Sequence, residues 1–123
     1  MLIIDDDDWS RLILSERLRA MGVEVAEAGD DETAYRLLQS GRYTVVVVDP
    51  YRAGADPGDL GSLVARIRVT NAGAAIVLLT AYTTGSVGPV AMSTEIEAVL
   101  EKQRPVDGTS RRLMEIWRGR RTK

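Results

Sequence analysis

The chain contains neither cysteine nor histidine. Without cysteine there can be no disulfide, no thiolate nucleophile and no cysteine-ligated metal. Without histidine there can be no Ser-His-Asp triad, no imidazole metal ligand and no phosphohistidine on this chain. Any proton or phosphoryl chemistry must therefore use carboxylates, hydroxyls, lysine or tyrosine. Long apolar runs are missing too, and those present are far too short to span a bilayer. Met1-Leu2-Ile3-Ile4 passes directly into four aspartates, so the basic-then-apolar order of a secretory signal is not found. The expected address is cytoplasmic.

What is present fits one globular domain over residues 1–123, with 45% apolar and 28% charged residues. The net charge of -2 hides an asymmetry: 13 of the 18 acids precede Leu60, whereas six of the 16 basic residues lie from Arg111 onward. The basic end, residues 118–123, is expected to be a frayed tail or the start of a linker.

Strand and helix signals alternate along the chain. Apolar runs at residues 2–5, 43–49, 74–80 and 96–101 read as strands, and Val23-Glu24-Val25-Ala26 reads as a fifth with one wetter face. Helices are expected from Trp9 to Met21, with Trp9, Leu12, Ile13 and Leu18 on or near one face, and after Asp30 or Asp31 up to Gly41. Others are expected from Asp59 to about Gly73, in a short piece near Pro89, and from Asp107 to Trp117. The fold class is therefore α/β: a doubly wound, five-stranded parallel sheet in the order 2-1-3-4-5, flanked by five helices in three layers.

Four of the apolar runs end in polar residues that carry chemistry. The first ends in Asp5-Asp6, the third in Asp49, the fourth in Thr80 and the last in Lys102. In open α/β sheets ligands bind at the carboxyl ends of the strands, beside the switch point between strands 1 and 3. Three carboxylates gathered there repel one another by roughly 3 kcal/mol per pair at about 5 Å and an effective dielectric near 20. A hard, oxygen-ligated cation such as Mg2+ would relieve that repulsion and help to orient Asp49 toward a phosphoryl group. An ionised carboxylate is already a nucleophile and needs no general base. Lys102 offers a point charge for phosphoryl oxygens, and Thr80 a hydroxyl. Taken alone, the aspartate run would also fit a solvated helix cap, which is how Asp7 and Asp8 read. Arg104, directly before Pro105, competes with Lys102 for the phosphate.

The motifs LIIDDDD, VVVVDPYRAGAD, LLTAY and VLEK resemble those of CheY-like receiver domains of bacterial two-component response regulators. They occur in order, 43, 31 and 22 residues apart from Asp6 through Asp49 and Thr80 to Lys102. The resemblance implies that Asp5 and Asp6 bind Mg2+, that Asp49 is the phosphoacceptor and a metal ligand, and that the carbonyl of Tyr51 completes the metal site. It makes Thr80 the switch hydroxyl and Lys102 the phosphate-binding lysine. It also implies a sensor histidine kinase or phosphotransfer protein as donor, and a signalling module rather than an enzyme, acting only on its own phosphorylation and dephosphorylation. A homodimer through the last two helices is an expected partner mode. No membrane partner is expected, and nucleic acid would be reached only through an output domain not present here.

The chain departs from the family pattern at several positions. Pro50 follows Asp49 and removes a backbone N–H beside the phosphate. Arg52-Ala53 replaces Met-Pro, Gln103-Arg104 separates Lys102 from Pro105, and Val99 occupies the position of a switching aromatic. These features support a competing reading, a non-phosphorylated pseudo-receiver that binds proteins. A haloacid-dehalogenase-type hydrolase would need an aspartate where Tyr51 stands. A flavodoxin-like carrier would set a flavin phosphate against acidic residues.

Overall fold

The computed structural model describes residues 1–51, 57–81, 95–103 and 105–121. Among these, five parallel strands, β1 (Leu2–Ile4), β2 (Ala26–Ala28), β3 (Val45–Val48), β4 (Ala75–Thr80) and β5 (Ile96–Glu101), form one sheet in the order β2-β1-β3-β4-β5. The expected strand order is thus observed. Four helices accompany it among the described residues: α1 (Asp8–Ala20), α2 (Asp31–Ser40), α3 (Pro57–Thr70) and α4 (Asp107–Arg121). The short helix expected near Pro89 falls on residues 82–94, outside the described residues.

Strand alternation divides the core in two. Leu2, Ile4, Val46, Val48, Ile76 and Leu78 face the layer of α2 and α3, where Ala34, Leu38, Leu63 and Ile67 are buried. Ile3, Val45, Val47, Val77 and Leu79 face the other layer, with Leu14 and Leu18 of α1 and Leu113 and Met114 of α4. A strand covered on both faces must be apolar at every position, which explains the unbroken valine run of β3 at the centre.

The helix ends follow local chemistry. Asp7 caps α1, its carboxylate accepting the N–H groups of Trp9 and Ser10. At the other end Gly22 adopts φ 94°, its N–H reaching Arg19 and that of Val23 reaching Leu18, which is a Schellman stop. Asp30 caps α2 through Thr33 N–H at 2.7 Å.

Three expectations are corrected. Strand β2 starts at Ala26 rather than Val23, because Val23 closes the α1 stop and packs into the core. Trp9, Leu12 and Ile13 are exposed, at 66, 43 and 36%. The inward stripe of α1 is Leu14 and Leu18, one turn apart, and Ile13 stands about 100° round the helix from Leu14. The basic end does not fray at Arg118. Helix α4 continues to Arg121, with Arg120 donating to the Gly73 carbonyl at 3.1 Å and pairing with Glu97 at 2.6 Å.

Candidate functional site

The sheet register brings the polar strand ends together. Ile4 pairs with Val48, so Asp5 and Asp49 emerge side by side from adjacent strands. Their backbones are held by the ladder, with Asp5 N–H on the Ala28 carbonyl at 3.0 Å and Asp49 N–H on the Ile4 carbonyl at 2.9 Å. Thr80 ends β4 and is fully buried. Its carbonyl accepts the Lys102 N–H at 2.8 Å, which fixes where the lysine leaves β5.

Lys102 is the cation at the centre of this edge. Its Nζ lies 2.7 Å from Asp5 Oδ2 and 2.9 Å from Asp49 Oδ2. The other oxygen of each carboxylate accepts a backbone N–H two residues on, Asp7 to Asp5 at 3.0 Å and Tyr51 to Asp49 at 2.8 Å. The two contacts are the same local turn, in which an aspartate accepts the N–H two residues on, and Pro50 between Asp49 and Tyr51 is compatible with it because that position donates nothing. Asp6 joins Asp5 and Asp49, and each of the three offers an oxygen within 4.8 Å of the others. Among the described residues, three carboxylates in this cluster face one ammonium, an excess of negative charge.

Burial raises the Asp5 carboxyl above its ordinary value of 3.8. The Asp49 charge adds to this, and the bonds from Lys102 and the Asp7 N–H oppose it. For Lys102, burial alone would favour the neutral amine. The bonds to Asp5 and Asp49 outweigh it and raise the ammonium above 10.5. The donor set consists of hard carboxylate oxygens with no nitrogen or sulfur ligand, which suits Mg2+ or Ca2+ rather than a softer metal.

Asp5, Asp6, Asp49, Thr80 and Lys102 thus meet at one sheet edge. Tyr51 adjoins it through its N–H, and the residue is 40% exposed. Arg104, the rival to Lys102, lies outside the described residues, as does most of the Pro-Gly loop after Tyr51. A groove of about 690 Å³ opens beside Lys102 between α1 and α4, with Trp9, Ile13, Leu79 and Val106 among its apolar walls. The sequence reading overlooked Arg11, whose guanidinium donates to the Asp5 carbonyl at 2.6 Å. The only signal for it was an arginine three residues after Asp8, on the same face of the helix.

The response regulator receiver domain family model matches residues 1–113. The chain belongs to the response regulator receiver domain family. Solved structures agree in fold. A receiver domain protein (CheY-like) from Methanospirillum hungatei superposes with a TM-score of 0.83 at 15% identity, over 98% of this chain and 94% of that one. Response regulator TrrA from Thermotoga maritima, solved with Mg2+ and BeF, is 25% identical, with a TM-score of 0.77 over 94% of this chain and 96% of its own. A response regulator from Burkholderia pseudomallei, solved with a phosphorylated aspartic acid, calcium and citrate, is 23% identical with a TM-score of 0.76. The match covers 88% of this chain but only 62% of that longer one. No curated protein sequence matches this chain. Among the described residues, no helix is long and apolar enough to cross a membrane.

Proposed function

We propose that this domain accepts a phosphoryl group on Asp49 from the phosphohistidine of a sensor kinase or phosphotransfer protein, and that the modification switches its output face. The observation that carries this reading is the shared ammonium of Lys102, in contact with Asp5 and with Asp49 at the carboxyl edge of the sheet.

Asp5, Asp6 and Asp49 would hold Mg2+ through their carboxylates, with the Tyr51 carbonyl as a further ligand. Held there, such a metal would supply charge to neutralise phosphoryl oxygens and so favour in-line transfer. Asp49 supplies the attacking carboxylate oxygen. The new O–P bond forms as the N–P bond to the donor imidazole breaks. Lys102 then exchanges its contact with Asp5 for phosphoryl oxygens, and the Thr80 hydroxyl moves toward them. The Thr80 shift alters the packing at the ends of β4 and β5, a shift of population between two states. The donor protein would rest on the groove between α1 and α4, where exposed Trp9 gives an apolar ledge and Lys102 lines the wall. The domain acts in the cytoplasm as a signalling module whose only chemistry is its own phosphorylation and dephosphorylation. The expected dimer surface includes residues 82–94, outside the described residues.

The test is intact mass after incubation with Mg2+ and a small-molecule phosphodonor, with Asp49→Asn in parallel. One phosphoryl adduct on the parent and none on the variant is the expected result. No adduct and no Mg2+ binding would leave the pseudo-receiver reading, to which Pro50 and Val99 point.

A further inference from the structure

We infer that Arg11 is a positioning residue for the cation site, setting the direction in which the Asp5-Asp6 segment leaves the sheet. This rests on the reading of Asp5, Asp6 and Asp49 as metal ligands. The guanidinium of Arg11 spends its donors on three separate pieces of chain. Nη1 holds the backbone carbonyl of Asp5 at 2.6 Å, Nη2 the carboxylate of Asp8 at 2.7 Å and Nε that of Glu27 on β2 at 3.3 Å. Its side chain is only 15% exposed.

Asp5 is consequently fixed at every polar atom. Its N–H is held by Ala28, its carbonyl by Arg11, and its carboxylate by Lys102 and the Asp7 N–H. The carbonyl bond orients the peptide plane between Asp5 and Asp6. That plane decides whether the two neighbouring carboxylates can converge on one cation. Gly29, next to β2, leaves space for the fork, since a Cβ there would stand 3.1 Å from Arg11 Nη1.

Positioning and plain electrostatics predict opposite signs. A cation beside an anionic site repels an incoming cation, so its removal by itself would tighten Mg2+ binding. Loss of a partner that orients a ligand typically weakens metal affinity by about 10–100-fold. Lysine keeps the charge but cannot reproduce the planar fork.

The experiment is calorimetric titration of the metal-free full chain with Mg2+, for the parent, Arg11→Gln, Arg11→Lys and Arg19→Gln. Arg19 pairs with Glu27 at 3.1 Å on its Oε2 atom and makes no bond to Asp5, so it controls for the loss of an arginine from this network. Folding of each variant is checked by circular dichroism, and Arg11→Lys keeps the test open should Arg11→Gln not fold. The expected result is roughly tenfold weaker binding in both Arg11 variants, with Arg19→Gln at the parent value. Parental affinity in Arg11→Lys, or tighter binding in Arg11→Gln, overturns the inference while leaving the metal site standing. A parent that binds no Mg2+ overturns the site reading, and the inference with it.

Discussion

The two edges of the sheet use the same kinds of side chain to opposite ends. At the amino edge, Arg68 pairs with Glu95 and also donates to the carbonyls of Ala74 and Glu95, at 2.6 and 3.0 Å. Arg120 similarly joins Glu97 and the Gly73 carbonyl. Each cation there meets a carboxylate and loop carbonyls, so helix ends and strand starts are tied together. At the carboxyl edge one ammonium is divided between two carboxylates, and a third stands close by. The first arrangement closes a fold, whereas the second leaves the site short of positive charge. A cluster with more carboxylates than ammonium groups is one that a divalent cation can complete, and such a cation can in turn face the oxygens of a phosphoryl group.

Relieving the acidic edge should have the largest effect. Asp6→Asn is expected to weaken Mg2+ binding at least tenfold while making the metal-free protein about 1–2 kcal/mol more stable, since repulsion among the carboxylates is reduced. Urea unfolding with and without Mg2+ would read both changes. A variant no more stable than the parent would mean that the cluster is not under strain.

Removal of the resident cation comes next. Lys102→Met should tighten Mg2+ binding on the order of tenfold, because a competing charge leaves the site. It should also change the alkaline limb of stability. The ammonium sits above its ordinary 10.5 in the folded chain because Asp5 and Asp49 outweigh the effect of burial. Its stabilisation is therefore complete below 10.5 and is lost as pH rises through the raised value. Unfolding midpoints from about pH 8 to 12 should show this loss in the parent and not in Lys102→Met. Superimposable profiles would argue that the bridge does not form in solution.

The smallest effect should come from the other edge. Arg68→Ala is expected to cost about 1–2 kcal/mol of stability, chiefly through the lost part-buried bond to the Ala74 carbonyl. Mg2+ affinity should stay at the parental value, as measured by the same titration. A change in affinity would show that the two edges are coupled through β4 and β5.

Much of this architecture was legible along the chain. The apolar runs ending at Asp49 and Thr80 are strands covered on both faces, so their composition and their length both reveal them. Local caps were equally readable, because Asp7, Gly22 and Asp30 act on groups within a few residues. Elements that depend on distant partners were less so. Leu12 and Ile13 are as apolar as Leu14, and only the placement of α1 on the sheet decides which is buried. Helix α4 runs past Trp117 because Arg120 finds Gly73 and Glu97, neither of them near in sequence.

The site divides along the same line. Alternating strand and helix signals, with Asp5, Asp6, Asp49, Thr80 and Lys102 at strand ends, are properties of the sequence itself. Parallel strands place all such ends on one edge, so the list of candidates follows from the pattern. Tertiary structure alone decided that Lys102 lies between Asp5 and Asp49, because its contact with Asp49 joins residues 53 positions apart, at the ends of β3 and β5 with β4 between them. It also decided that Arg11 reaches back to the Asp5 carbonyl. Local composition sets where a strand stops, but the distance between two charges is set by the packing of the whole sheet.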